Sequence, residues 1–166
     1  MSRLLFGFAL GVLISGCATA KSAGVKEGQL VPELPLTDLS GQVVSLSSYR
    51  GKVVLLDFWA SWCEPCKESL PVYDGFVREL SERGLVVLAV SEDEARELAG
   101  PFLATHAPSV TGLHDPGGRT ATELMLPAMP TALLIDRTGK IELIHAGFHA
   151  SDAPALRARL EQVLGL

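Results

Sequence analysis

Two apolar runs dominate the pattern along the chain: Val53-Val54-Leu55-Leu56-Asp57-Phe58 and Leu85-Val86-Val87-Leu88-Ala89-Val90. Runs this short, with polar or glycine-containing flanks, predict strands buried on both faces. Val43, Val44 and Leu46 follow a Ser40-Gly41 turn and predict an earlier strand set in a hairpin. Between the two central runs, Glu64 to Ser81 predicts a helix, with Pro71 removing one backbone hydrogen bond from its interior. Glu92 to Ala104 predicts a second helix with Ser91 as N-cap, its end disturbed by Pro101. A short strand near Val110, a turn at Asp115-Pro116-Gly117-Gly118 and a brief helix through Leu124 come next. Strands near Thr131–Ile135 and Ile141–His145 flank Asp136-Arg137-Thr138-Gly139, the spacing of an antiparallel hairpin. Asp152 to Leu164 closes the chain as an amphipathic helix with Leu156, Leu160, Val163 and Leu164 on one face. The order β-α-β-α-β-β-α predicts an α/β domain: a central mixed sheet flanked by helices on both faces.

The N-terminus reads differently. Arg3 precedes an apolar run from Leu4 to Ile14, too short to span a membrane but suited to the core of a signal peptide. It ends Leu13-Ile14-Ser15-Gly16-Cys17, which resembles the lipobox of bacterial lipoproteins. That resemblance implies cleavage after Gly16, acylation of Cys17 and a lipid anchor on the periplasmic side of a bacterial envelope. By resemblance to enterobacterial sorting, Ala18 rather than Asp after the cysteine implies a weak lean toward the outer membrane over the inner one. Plain secretory cleavage near Ala18-Thr19-Ala20 is the competing reading. The chain thus divides into a leader (1–16), a lipidated cysteine with a tether (17–29) and a folded domain (30–166).

Composition adds exclusions. A length of 166 residues, 48% hydrophobic and 20% charged, fits one globular domain with appendages. A net charge of −5 argues against nucleic acid as a partner and supplies no basic membrane patch. Three cysteines are an odd number for an oxidising compartment. Acylating Cys17 would leave the single pair Cys63 and Cys66.

That pair carries the chemistry. Trp59-Ala60-Ser61-Trp62-Cys63-Glu64-Pro65-Cys66-Lys67 places two thiols at the start of a predicted helix, directly after a predicted strand. Unpaired N–H groups there favour a thiolate. Cys-x-x-Cys is also half of a zinc site, but no second pair supplies the remaining ligands. Dithiol–disulfide chemistry is the better reading, and no cofactor is implied. His106, His114, His145 and His149 lack a common metal spacing, although His145 lies on a late strand that could approach the thiols.

The element order with these residues resembles the thioredoxin fold, and more narrowly the TlpA/ResA-like group of membrane-anchored extracytoplasmic thioredoxins. Leu39 to Leu46 with Tyr49-Arg50-Gly51-Lys52 is similar to that group's leading segment. Phe58 to Lys67 is similar to its active-site signature, and Met129-Pro130-Thr131 to its cis-proline loop. The resemblance implies that Cys63 is exposed and attacks a partner's disulfide while Cys66, deeper, resolves the mixed disulfide. It implies a cis peptide before Pro130 and a Met129 backbone that pairs with an extended substrate segment. Trp62, Glu64 and Pro65 complete the active-site loop; Trp59 either shapes that surface or packs in the core. Implied partners are disulfide-containing periplasmic proteins, such as apocytochrome c or metal-site assembly factors, and a membrane thiol-reducing electron donor. A monomer is expected.

Two departures matter. ResA-like proteins place a glutamate three residues after the second cysteine, where this chain has Ser69. Glu68 is about 100° away around the helix and cannot substitute. Asp57, inside the first apolar run, occupies the place of the buried acid of cytoplasmic thioredoxins. Burial should raise its pKa and make it the base that deprotonates Cys66; an acid bonded to Lys52 or water is the alternative. Glu64, beside Cys63, should disfavour its thiolate and set a reducing potential, around −200 to −270 mV. A peroxiredoxin would need Thr or Ser at Ala60 and Pro at Leu56. A Cu(I) metallochaperone using Cys63 and Cys66 is the alternative from another class, since thiolates suit Cu(I).

Overall fold

A computed structural model describes residues 24–166; Cys17, the predicted leader (1–16) and most of the predicted tether lie outside the described residues. The chain forms one seven-stranded sheet in the order β2-β1-β5-β4-β3-β6-β7. Its strands are β1 (Leu36–Asp38), β2 (Val43–Val44), β3 (Val53–Trp59), β4 (Leu85–Ser91), β5 (Thr111–His114), β6 (Thr131–Ile135) and β7 (Ile141–Ala146). The helices are α1 (Glu64–Leu80), α2 (Ala99–His106), α3 (Arg119–Glu123) and α4 (Ala153–Leu164). β3 runs parallel to β4 and antiparallel to β6, so the sheet is mixed.

The two apolar runs are the inner strands. Every residue of β3 is buried, because α1 and α4 cover one face and the N-terminal segment with α3 covers the other. Alternation along β3 sends Leu55, Asp57 and Trp59 toward the α1 face, and Leu56 and Phe58 toward the opposite one. Register carries the pattern across the sheet: Asp57 stands opposite Ala89 on β4 and Ala132 on β6. Small neighbours on both sides leave room on that face for an acid and the groups above it.

Three expectations need correction. Leu46 does not extend the early strand; it opens a 3-10 turn (Leu46–Tyr49) and is buried against the second core. The helix expected from Glu92 to Ala104 begins only after a short 3-10 turn (Arg96–Leu98), as α2 at Ala99. Ser91 is the last residue of β4 rather than an N-cap, and its hydroxyl donates to Asp93 Oδ2 at 2.8 Å. Finally, residues 24–29, read from sequence within the tether, pack on the fold: Val25 N donates to Leu124 O (3.1 Å), and residues 27–29 bond along the sheet edge. Gly28 N donates to Ile141 O (2.8 Å), Ile141 N to Gln29 O (2.9 Å) and Ile144 N to Glu27 Oε1 (3.0 Å). The segment covers part of the free edge of β7, where open backbone groups would otherwise be exposed.

Candidate active site

β3 delivers the chain to the sheet's carboxyl end, and α1 starts at Glu64 with Cys63, four residues beyond Trp59, as its N-cap. The intervening turn is closed by Cys63 N donating to Ala60 O at 3.1 Å. Pro65 falls in the first turn of α1, where its missing N–H costs nothing. Pro71 sits in the helix interior, as the sequence implied. Cys63 and Cys66 form a disulfide across this first turn, with Cα atoms 5.4 Å apart. The arrangement is the oxidised state of a dithiol.

Access to the two sulfurs is unequal, though less so than the expected exposed thiol. Cys63 is only 5% exposed and Cys66 is 0%. A partner therefore reaches Cys63 first. Trp62 stands beside it, 69% exposed, an apolar surface with no intramolecular cover. Trp59 is fully buried and stacks on Phe102 with ring centroids 4.9 Å apart; it belongs to the core and not to the docking surface. Glu64 is exposed and paired with Lys67 Nζ at 2.6 Å. That cation and the solvent screen its charge, which weakens the sequence argument from Glu64 to a reducing potential. The Met129-Pro130 peptide is cis, and half-buried Met129 packs against the apolar cluster that contains both cysteines. The predicted site residues of the loop and the cis-proline segment thus come together.

Asp57 lies beneath them on the sheet face that also buries Cys66, Leu70 and Tyr73. It is 0% exposed, and neither carboxyl oxygen has a hydrogen-bond partner among the described residues. Lys52, the alternative partner, is exposed at the start of β3 and makes no bond to it. Burial, with a smaller contribution from the Glu92 carboxylate, pushes Asp57 up to about 8. Glu92 is itself pushed up to about 7, by burial first and the Asp115 carboxylate second. Gly118, at φ 65°, folds tightly over Glu92; a Cβ there would sit 2.8 Å from Glu92 Oε2. Ser69 is buried and donates to Cys66 O at 3.3 Å, so it turns back on its own helix.

Three residues were missed from sequence. Tyr73 lies two helical turns beyond Cys66 on the same buried face, with its hydroxyl beside the Ser69 side chain. Burial and the Asp57 carboxylate push its phenol upward. Its place at i+7 from Cys66 was a usable signal. Glu92 and Asp93 carried none, since both were assigned to a helix that starts later. The histidines do not gather: among the described residues, no group of three or more His, Cys, Asp or Glu side chains is placed to hold a metal. His145 lies on the Asp57 side of the sheet, opposite Ala132, with Nε2 3.6 Å from Asp152 Oδ2.

A cysteine pair on a first helical turn, a cis-proline loop beside it and a buried acid below define a thioredoxin-fold thiol–disulfide oxidoreductase. The chain belongs to the AhpC/TSA family, which it matches over residues 28–144, and within it to the TlpA/ResA-like thioredoxin-fold proteins. It is 28% identical over 148 residues to the thiol-disulfide oxidoreductase ResA of Bacillus cereus, covering 84% of this chain and 86% of that one. A structure from Chlorobium tepidum, described as a thiol:disulfide interchange protein of DsbE type, superposes with a TM-score of 0.80 at 39% identity, covering 86% of this chain and all of that one. The exposed lipoprotein thioredoxin Etrx1 of Streptococcus pneumoniae superposes with a TM-score of 0.62 at 30% identity, covering 78% of this chain and 99% of that one. Ala60 and Leu56 still stand where a peroxidatic signature needs Thr or Ser and Pro.

Proposed function

We propose that this protein is a lipid-anchored reductase of the bacterial envelope that donates electrons to disulfides of periplasmic proteins, with Asp57 as the base of its second step. The observation that carries the reading is the unpaired, fully buried carboxyl of Asp57 on the face that buries Cys66. The chain has invested burial of an acid, costly unless it has a use, behind the less accessible sulfur.

The reaction proceeds in two exchanges. The Cys63 thiolate attacks one sulfur of the partner's disulfide; a Cys63–partner bond forms and the other partner sulfur leaves as a thiolate. Cys66 then loses its proton to Asp57 and attacks Cys63. The Cys63–Cys66 bond forms, the second partner sulfur leaves, and two electrons have passed to the partner. Asp57, its carboxyl pushed up to about 8 by burial, is a competent acceptor for the thiol proton near neutral pH. A membrane thiol-reducing protein would return the electrons through the same sulfurs. Exposed Trp62 and the Met129 backbone would receive an extended partner segment. The Cys17 anchor accords with the lipoprotein that Etrx1 is described to be.

Redox trapping tests the direction. In cells making the full chain, rapid acidification and alkylation should find Cys63 and Cys66 mostly reduced, and Cys17→Ser should release the protein from membranes. A pair held oxidised at steady state, alongside a wild-type fraction that never sediments with membranes, would overturn the reading.

A further inference from the structure

Asp93 is buried at 2% exposure just beyond β4, and among the described residues no cation is paired with it. Its carboxylate is instead satisfied by the active-site loop. Ser61 N donates to both oxygens (3.2 and 3.1 Å), Ser61 Oγ to Oδ1 (2.8 Å) and Ser91 Oγ to Oδ2 (2.8 Å). Asp93 N returns a bond to Ser91 Oγ at 3.2 Å, which closes a small ring. From the other side, His114 on β5 places Nε2 2.8 Å from Asp93 O. Glu92 N donates to Trp59 O at 2.8 Å, so the same stretch also holds the end of β3. Both carboxyl oxygens are thus engaged by the active-site loop and by Ser91.

Ser61 is two residues before Cys63, on a turn whose own closure is the single Ala60–Cys63 bond. The Ser61 side chain reaches 32 residues along the chain for its partner. We propose that Asp93 is a positioning residue of the dithiol: through Ser61 it fixes the loop that carries Trp62 and Cys63, and thereby sets the reduction potential of the pair. The loop side of the disulfide is the part that needs holding. Cys66 is packed inside α1, whereas Cys63 is an N-cap residue with no side-chain cap bond. Fixing Cys63 raises the effective concentration of one sulfur at the other and favours the closed disulfide. A negative charge held behind the loop also disfavours the Cys63 thiolate, hence the reduced form. Both effects act in the same direction. Asp93, buried and without a cation, supplies a bias toward reducing power that Glu64, exposed and paired with Lys67, supplies less well.

The test is equilibration of the purified protein with glutathione redox buffers. Asp93→Asn, which cannot accept from every donor and carries no charge, should shift the exchange equilibrium toward the dithiol about tenfold, a rise of about 30 mV for a two-electron couple. Ser61→Ala keeps the charge and the backbone N–H contact, so it should move the same way by less. Thermal unfolding of both oxidised proteins runs alongside. Asp93→Asn that is destabilised yet keeps the wild-type equilibrium makes Asp93 a packing residue and overturns the proposal. If Asp93→Asn does not fold, Ser61→Ala decides alone: a shift supports positioning, and an unchanged equilibrium refutes it.

Discussion

Cys66→Ala leaves a protein that attacks but does not let go. Cys63 is the sulfur with access, at 5% exposure against 0% for Cys66, so the first exchange survives the substitution. The second does not, because the nucleophile that releases the partner is gone. Turnover in an insulin-reduction assay should fall on the order of 10³-fold or more, since an external thiol replaces one held at a very high effective concentration. The variant should also collect on partner proteins as reducible mixed disulfides in envelope extracts, which non-reducing electrophoresis displays and mass spectrometry identifies. Cys63→Ala should form none of these. The fold should tolerate either change, because the disulfide spans a single helical turn already fixed by β3 and α1 and closes only a short loop. Cys66→Ala turning over near the wild-type rate, or Cys63→Ala trapping the same partners, would reverse the assignment of the two sulfurs.

The parts of this site that sequence revealed are those whose signal is local. β3 and β4 were legible as short apolar runs because strands buried on both faces have no polar side to show. The dithiol was legible because strand, turn and helix start are contiguous. α2 was misjudged for a physical reason. Glu92 to Arg96 has the composition of a helix, yet the backbone there is committed elsewhere: Glu92 N to Trp59 O, and Ser91 and Asp93 to each other. Pro101 held the correct information, since proline is tolerated in a first turn and marked the start of α2 rather than its end. Residues 24–29 escaped notice because they join the fold mainly through backbone groups, which leave no hydrophobic period. Trp59 was decidable in principle. Its parity with Leu55 and Asp57 directs all three to the face that α1 covers. The Ser61–Asp93 clamp was not, because nothing near either residue marks the other.

Asp57→Asn should make the oxidised protein more stable and less active at once. The folded carboxyl keeps its proton up to about 8, whereas the unfolded one releases it near 3.8. Between those values the native state holds a proton that the unfolded state does not, so unfolding releases one and stability falls as pH rises. The loss starts above the unfolded value and is complete only above about 8; across the window it amounts to on the order of 5 kcal/mol. Glu92, pushed up to about 7, adds a slope of the same sign, reduced by solvent because it is half-buried. The asparagine cannot ionise, so urea midpoints for the variant should exceed wild type most at pH 8 to 9 and keep only the shallow Glu92 slope. Activity should move the other way. Removing a positioned base costs about 10²-fold in the step it serves, so mixed disulfides should outlast their wild-type lifetimes. The wild-type release rate should climb with pH toward about 8, and the variant should lose that climb. Tyr73, its hydroxyl held on the same buried face, offers no replacement, since burial and the Asp57 carboxylate push its phenol away from neutrality. A wild type whose stability does not change between pH 4 and 8 would show that Asp57 ionises freely in the fold. A variant that releases partners at the wild-type rate would show that the proton of Cys66 leaves by another route.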